Sequence, residues 1–249
     1  MIEKAIEIRI SDGVSEGYIY RPADAGVWPG VIHLTDIGGI REAPREMARR
    51  LSAEGYVVLL PNIFYRTSKT PVWDFPRKMG EERTMKRFGE LTTPLTPDAM
   101  VRDVSSYVHF LAQQKGVKDG PFGIVGYCFT GAMALRGAAA LPDKIAAIAS
   151  FHGGGLYKDT PDSPHTVLPQ VKARLYFGHA VEDRSMSKEA IEKFEAALAS
   201  WGENFESDTY EGALHAWTMP DSPVYNEPQA ERAYQKLTEL FAAALSSGR

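Results

Sequence analysis

Cysteine is nearly absent from this 249-residue chain, which contains a single one, Cys128. One cysteine excludes a disulfide framework within the chain and any structural zinc site built on several thiolates. An excess of basic residues is also missing, because 28 lysines and arginines face 32 acidic residues and the formal charge is -4. We therefore expect neither a nucleic-acid nor an anionic membrane partner, since both favour a basic surface.

Long apolar segments are missing as well. The longest uncharged stretch, Gly120–Leu135, is too short to span a bilayer and contains one proline and four glycines. The first ten residues, MIEKAIEIRI, carry four charges, so no secretory signal is predicted. We expect a soluble, cytoplasmic protein with one domain over residues 1–249 and with no metal or other cofactor.

Two kinds of apolar pattern follow one another along the chain. Ala5–Ile10 and Val14–Tyr20 alternate apolar and polar residues around Asp12-Gly13, which predicts an antiparallel hairpin. Short, nearly continuous apolar runs come next, as expected for parallel strands that are covered on both faces. These predicted strands are Gly30–Leu34, Tyr56–Leu60, Phe122–Gly126, Ile145–Phe151 and Arg174–Gly178, with a further strand at Asn204–Tyr210.

Segments with helical spacing of apolar residues lie between the predicted strands. The first four are Glu42–Glu54, the stretch from Thr96 to Leu111, Phe129–Leu141 and Ser187–Trp201, and the last is Pro228–Ser246. Thr96 and Pro97 are residue types preferred at an N-cap and at the first helical position. The alternation predicts an α/β fold, with a mostly parallel central sheet, helices on both faces and an N-terminal antiparallel hairpin.

The stretch 61–97 departs from this regular alternation. It contains five prolines and the charged block Lys78–Glu90, and it is long for a plain connection. We expect a partly helical, lid-like excursion near the ends of the strands.

Cys128 occupies the junction between a predicted buried strand and a predicted apolar helix. Gly126 precedes it by two residues and Gly131 follows it by three, as in the nucleophile elbow, where no side chain fits beside the nucleophile. The sulfur would then lie at a helix N-terminus, where the helix dipole and free N–H groups favour a thiolate. A lone cysteine is more often a small buried hydrophobic residue, but the elbow context favours a nucleophile.

An acid and a histidine follow Cys128 in the chain order that this type of elbow requires. Asp183 comes after the predicted strand Arg174–Gly178, and His215 lies in a loop after Asn204–Tyr210. Taken alone, Asp183 could be a capping carboxylate and His215 a loop histidine without a function. Their joint occurrence in this order favours a triad with Cys128. The remaining histidines outside the glycine-rich loop discussed next are assigned structural or surface positions: His33, His109, His165 and His179.

Backbone amides are expected to form the oxyanion hole. The N–H of Phe129 follows the nucleophile, and Ile37 is the natural donor in the loop Leu34–Gly39. The segment His152-Gly153-Gly154-Gly155 resembles a lipase oxyanion loop, but it follows the strand after the nucleophile and is therefore not that motif. Because these loops gather at the carboxyl edge of the sheet, both a pocket-lining and a purely structural role remain open for His152.

Several of these segments together resemble the dienelactone hydrolase family, the cysteine branch of the α/β-hydrolase fold. They are His33–Gly39, Pro61–Arg66, Val125–Gly131, the Asp183 loop and Gly212–Trp217. The resemblance implies that Cys128 is the nucleophile, that His215 is the base and that Asp183 orients it. It also implies that an acidic residue at the position of Asp36 contacts the resting thiol.

Two positions differ from the family pattern. Thr130 stands where the elbow usually has glycine, and we expect it to widen the elbow or to alter the floor of the pocket. The family enzymes that hydrolyse dienelactone bind the substrate carboxylate with two arginines, but no arginine lies near Met219, where one is expected. The second would be Arg83 or Arg87. The predicted substrate- or thiol-contacting residues are Asp36, Arg83, Tyr127 and His152.

The function predicted from the sequence is cofactor-free hydrolysis of small esters or lactones through a thioester on Cys128. Three alternatives remain open. A general carboxylesterase or thioesterase would use the same residues. A non-catalytic ligand-binding protein is suggested by Thr130 and the missing arginine. A redox sensor would need glutathione or a second chain, because no resolving cysteine is present. A haloalkane dehalogenase is excluded, since it requires a carboxylate at position 128.

Overall fold

In the part of the chain that the structure describes, the strands form a single eight-stranded sheet with the order β1-β2-β4-β3-β5-β6-β7-β8. The computed structural model describes residues 1–202 and 204–245. The strands are β1 (Ile2–Ile10), β2 (Gly13–Arg21), β3 (Gly30–His33), β4 (Val57–Pro61), β5 (Phe122–Tyr127), β6 (Ile145–Phe151), β7 (Arg174–Glu182) and β8 (Phe205–Leu214). Strands β3 to β8 pair in parallel, whereas β1 and β2 form an antiparallel hairpin whose second strand pairs antiparallel with β4.

Among the described residues, six α-helices connect these strands or follow them. They are α1 (Glu42–Ala53), α2 (Glu82–Thr92), α3 (Pro97–Ala112), α4 (Thr130–Ala140), α5 (Lys188–Trp201) and α6 (Glu227–Leu245), together with a short 3-10 helix, Pro164–Gln170, that the sequence pattern did not predict. The Thr96 hydroxyl caps α3 by accepting from the Ala99 N–H at 3.2 Å. Ser246, which was predicted to end the last helix, lies outside the described residues.

Both faces of the sheet are covered, because neighbouring residues on each central strand point to opposite sides. Ile32, Ile124 and Ile148 pack with α3, α4 and α5 on one face. Val31, Val125 and Ala149 pack with α1 and α6 on the other. The predicted α/β architecture is confirmed. None of the described helices is both long and apolar enough to cross a membrane.

Strands β7 and β8 extend further than the apolar pattern indicated. Their pairing continues to Glu182 and Leu214, beyond the predicted ends at Gly178 and Tyr210. Val181, Glu182 and Leu214 at these ends are exposed, so burial does not impose an apolar pattern on them. The extension carries the two following loops to the same corner of the sheet.

The segment between β4 and α3 is fastened to the body of the protein. Arg66 forms an ion pair with Asp103, a fully buried residue of α3, at 2.7 Å, and the Tyr65 hydroxyl donates to the same carboxylate at 2.9 Å. Within the segment itself, Arg87 of α2 donates to the carbonyl oxygen of Val72 from two of its nitrogens. A lid-like movement of 61–97 stays a prediction.

Candidate active site

Cys128 lies at the sharp turn between β5 and α4. Its φ angle of 59° falls in the left-handed region, which is costly for a residue other than glycine. A Cβ atom at Gly126 would overlap the carbonyl oxygen of Thr130. Likewise, a Cβ at Gly131 would overlap the hydroxyl of Ser150. Glycine at both positions therefore allows strand and helix to approach closely enough to form this turn.

The branched side chain of Thr130 is accommodated inside the turn. Its hydroxyl donates to the carbonyl oxygen of Tyr127 at 2.7 Å and accepts from the Tyr127 N–H at 2.8 Å. The residue is fully buried. Thr130 thus bridges the two ends of the elbow through hydrogen bonds to the backbone of β5.

His215 lies within hydrogen-bonding distance of both Cys128 and Asp183, which are distant from it in the chain. Nε2 of His215 lies 3.1 Å from Sγ of Cys128, and Nδ1 lies 2.6 Å from Oδ2 of Asp183. The other Asp183 oxygen accepts from the Ser185 N–H at 2.8 Å and from its hydroxyl at 2.6 Å. Asp183 and His215 follow β7 and β8, which are parallel neighbours, so their loops meet at the carboxyl edge of the sheet.

The charges of this group favour a protonated imidazole. Burial disfavours the charged form of His215, but the hydrogen bonds to Asp183 and Cys128 outweigh burial and raise its pKa from 6.5 to about 10. Burial acts to raise the pKa of Asp183, yet the hydrogen bonds from His215 and Ser185 hold it below the usual 3.8. A cationic imidazole beside a sulfur atom is an environment that stabilises a thiolate.

We expect the hydrogen-bonded pair of His215 and Asp183 to make stability depend on pH. The His215 pKa is raised, so its contribution is complete below pH 6.5 and is lost as the pH rises through about 10. The Asp183 pKa is lowered, so its contribution is present above pH 3.8 and is lost as the pH falls through the lowered value. Urea unfolding of the wild type and of His215→Gln across this range measures the difference in free energy of unfolding. That difference should be largest between pH 3.8 and 6.5, and a difference that stays constant up to pH 10 would contradict the expectation.

His152 contacts the elbow from the loop that follows β6. Its Nδ1 accepts from the Cys128 N–H at 3.0 Å, and its Nε2 lies 2.8 Å from the hydroxyl oxygen of Thr218. The side chain is fully buried. Its ring centroid is 5.1 Å from that of His215, in an edge-on arrangement.

The two amides expected to form an oxyanion hole belong to adjacent parts of the sheet edge. The Leu34 N–H donates to the Val125 carbonyl at 2.9 Å, which ties the loop after β3 to the end of β5. The indole N–H of Trp73 donates to the Ile37 carbonyl at 2.8 Å and so orients that part of the loop. Within residues 1–202 and 204–245, neither the Ile37 nor the Phe129 N–H donates to a protein acceptor.

Comparison with known proteins decides the family. Residues 15–245 match the model of the dienelactone hydrolase family. The chain belongs to the dienelactone hydrolase family. A Synechocystis sp. protein named "Putative carboxymethylenebutenolidase" is 28% identical over 235 residues, which cover 92% of each chain. The carboxymethylenebutenolidase of Rhodococcus opacus is 26% identical over 236 residues, which cover 93% of this chain and 87% of the relative.

A solved structure extends the likeness to the fold. The crystal structure named "Putative Dienelactone Hydrolase" from Klebsiella pneumoniae matches with a TM-score of 0.85 at 23% identity, over 97% of this chain and 98% of that chain. As a member of the dienelactone hydrolase family, the protein is a hydrolase. Its fold is the α/β-hydrolase fold, as the motifs around the elbow predicted.

Asp36 of this dienelactone hydrolase family member is held by an arginine. Its carboxylate pairs with Arg41 at 2.5 Å and accepts from the Gly38 N–H at 3.0 Å, whereas the side-chain partner of Cys128 Sγ is His215. Arg41 also pairs with Asp221 at 2.5 Å, and these carboxylates outweigh burial and raise the arginine's pKa. Asp36 thus stabilises its own loop, and the expected contact with the thiol is replaced by an ion pair.

The other predicted substrate contacts have different surroundings. Arg83 is exposed, stacks on Phe75 at 3.7 Å and lies 3.7 Å from Asp74, so it does not join the group around Cys128. Arg83 lies on the solvent-exposed side of α2. The spacing of residues in a helix does not by itself indicate which face packs against the rest of the protein, so the sequence could not show this. Tyr127 is buried against Phe151 and His33 beneath the elbow.

Several residues near the site were not predicted from the sequence. Asp221 and Thr218 have their partners far away in the chain, and Arg41 joins nearby Asp36 to distant Asp221, so no local pattern signals these pairings. Ser185 had a recognisable signal, because a serine two residues after an aspartate often forms an Asx-type turn. In the part of the chain that the structure describes, no group of three or more His, Cys, Asp or Glu side chains is arranged to hold a metal ion.

Proposed function

We propose that the protein hydrolyses small esters or lactones through a covalent thioester on Cys128. One observation carries the proposal: Sγ of Cys128 lies 3.1 Å from His215 Nε2, while His215 is held by Asp183 at 2.6 Å. A nucleophile, a base and an orienting carboxylate in this geometry are the requirements for nucleophilic acyl transfer. Carboxymethylenebutenolidase, the name of the relatives, is an activity on a lactone and agrees with this class.

Acyl transfer begins with attack of the Cys128 thiolate on the ester carbonyl carbon. The carbonyl oxygen becomes an oxyanion that accepts from the N–H groups of Ile37 and Phe129. When the carbon–oxygen bond breaks, the alkoxide takes the proton from His215 and leaves as an alcohol. In a lactone, the new hydroxyl remains attached to the acyl group.

Hydrolysis of the thioester regenerates the enzyme. His215 accepts a proton from water, and the hydroxide formed attacks the thioester carbon. The carbon–sulfur bond breaks, and the electron pair returns to Cys128 as a thiolate. The products are one carboxylic acid and one alcohol, or a single hydroxy acid from a lactone.

Trapping of the thioester tests this proposal. The wild type is mixed with p-nitrophenyl acetate, quenched in acid during turnover, digested and analysed by mass spectrometry. We expect the mass of one acetyl group on the peptide that contains Cys128, removable by hydroxylamine. The matched control is Cys128→Ala, whose peptide should remain unmodified. Acetylation that appears elsewhere and never on Cys128, during measurable turnover, would overturn the mechanism.

A further inference from the structure

The amide of the proposed nucleophile has an unusual acceptor. The Cys128 N–H is shared between the carbonyl oxygen of Phe151, at 3.1 Å, and the Nδ1 atom of His152, at 3.0 Å. His152 itself adopts a positive φ of 41°, and its own N–H donates to the carbonyl oxygen of Gly178 at 2.8 Å. The backbone of His152 is thus anchored on β7, and its side chain is directed at the backbone of the elbow.

The hydrogen bonds define the protonation state of His152. Because the Cys128 N–H can only donate, Nδ1 must be the unprotonated nitrogen, and the ring proton must reside on Nε2. That proton is donated to the Thr218 hydroxyl at 2.8 Å. Burial, together with the nearby His215, lowers the pKa of His152 well below its ordinary value, so the ring stays neutral.

The same ring also contacts the proposed base. His152 meets His215 edge-on, with centroids 5.1 Å apart, and meets Trp217 in the same manner at 5.3 Å. One buried imidazole therefore contacts the backbone of Cys128 and the ring of its partner. The separation between Cys128 Sγ and His215 Nε2 therefore depends on the positions of both the Cys128 backbone and the His215 ring.

We propose that His152 is a positioning residue that holds the strained Cys128 backbone so that the sulfur stays within hydrogen-bonding distance of His215. This inference rests on the proposed function. Without an acceptor at Nδ1, the Cys128 N–H would lose one of its two hydrogen bonds. The φ angle of 59° at Cys128 would then lose one of the contacts that maintain it. The turn would then relax, and the sulfur would spend less time beside the imidazolium that stabilises a thiolate.

Three substitutions separate the acceptor from the bulk of the ring. His152→Asn keeps an acceptor, because the amide oxygen of asparagine can take the place of Nδ1, and asparagine tolerates a positive φ. His152→Leu keeps an apolar side chain of moderate size but removes the acceptor. Thr218→Val is nearly isosteric and removes the hydroxyl that accepts the ring proton from Nε2.

The single cysteine of the chain provides a readout that does not require turnover. The rate of alkylation by iodoacetamide, measured against pH, reports the thiolate of Cys128 alone. Of the charged or titratable groups around the sulfur and His152, His215 contacts both, Asp183 acts through His215, and the buried Tyr127 packs 5.9 Å from His152. All three are unchanged in the variants.

We expect His152→Leu to slow alkylation at neutral pH, and kcat for p-nitrophenyl acetate, by about tenfold with little change in KM. The alkylation profile should also move to higher pH. His152→Asn should restore most of both rates, and Thr218→Val should show a smaller loss in the same direction. A residue that only supports the fold would lower Tm without moving the pH profile.

The outcomes distinguish this inference from the proposed function. If His152→Leu, His152→Asn and the wild type share one alkylation profile, the positioning role is wrong even though the wild type hydrolyses esters. If His152→Leu does not fold, Thr218→Val replaces it in the test. An alkylation profile of Thr218→Val equal to that of the wild type would also show that the positioning role is wrong. If the wild type hydrolyses no ester, the proposed function fails, while the alkylation profiles still decide whether His152 positions the thiol.

Discussion

Replacing Cys128 with alanine is expected to lower kcat for p-nitrophenyl acetate by roughly 10⁴- to 10⁶-fold, to the level left by binding and the oxyanion donors. The reason is chemical: the side chain of alanine forms no covalent bond to the acyl group, and no other cysteine exists in the chain to replace it. Substrate affinity should change little, because the substitution removes one atom from a partly exposed position.

The measurement compares initial rates for the wild type and Cys128→Ala on p-nitrophenyl acetate and on dienelactone. Iodoacetamide gives a matched control, since one equivalent should inactivate the wild type and leave the residual rate of the variant unchanged. If wild type and variant are equally inert on both esters, a ligand-binding or redox role for Cys128 becomes the better explanation. If both are equally active, another nucleophile performs the reaction.

Asp183→Asn is expected to lower kcat by about 10⁴-fold, which is the size of effect seen when an orienting aspartate is replaced in a triad. The structure predicts the cause. Two donors, the N–H and the hydroxyl of Ser185, contact one oxygen of Asp183. In the variant they will hold the amide oxygen of asparagine on their side, so its NH₂ group will face His215 Nδ1. His215 must then carry its proton on Nε2, where it cannot accept one from the thiol.

The pH dependence provides a second measurement for this variant. Loss of the carboxylate removes the Asp183 hydrogen bond and charge, which together with Cys128 outweigh burial and raise the His215 pKa to about 10. We expect the alkylation profile of Cys128 to move to higher pH, because the imidazolium no longer persists to stabilise a thiolate. Asp143→Asn, which changes an exposed aspartate paired with Lys172, is the matched control and should behave as the wild type. An Asp183→Asn variant within threefold of the wild type would contradict the role of the carboxylate.

Asp36 pairs with Arg41 instead of contacting the thiol, and this pairing bears on substrate choice. Arg41 is engaged by two carboxylates, Arg87 by the Val72 carbonyl, and Arg83 by Phe75 and Asp74 at the surface. These three arginines thus have partners within the protein. Dienelactone is anionic and p-nitrophenyl acetate is neutral. The ratio of the rates on these two esters measures whether the site favours an anionic substrate while these arginines are paired within the protein.

The sequence by itself determined the features that depend on neighbouring residues. Buried strands, the hairpin, the cap at Thr96 and the tight elbow around Cys128 follow from side-chain alternation, capping chemistry and the lack of space for a Cβ at Gly126. The order of Cys128, Asp183 and His215 was also readable, because each follows a predicted strand and parallel strands end at one edge of the sheet.

Only the tertiary structure decided which groups meet across the loops. Arg41 pairs with a carboxylate 180 residues away, and His152 reaches Thr218 across 66 residues. Such partners depend on strand order, on the lengths of β7 and β8 and on which face of a helix turns inward. Periodicity and turn chemistry act over a few residues and carry no information about contacts at that distance. The protonation state of His152 likewise depends on tertiary contacts. The ring follows β6, and its hydrogen-bond partners come from the elbow and from the loop after β8.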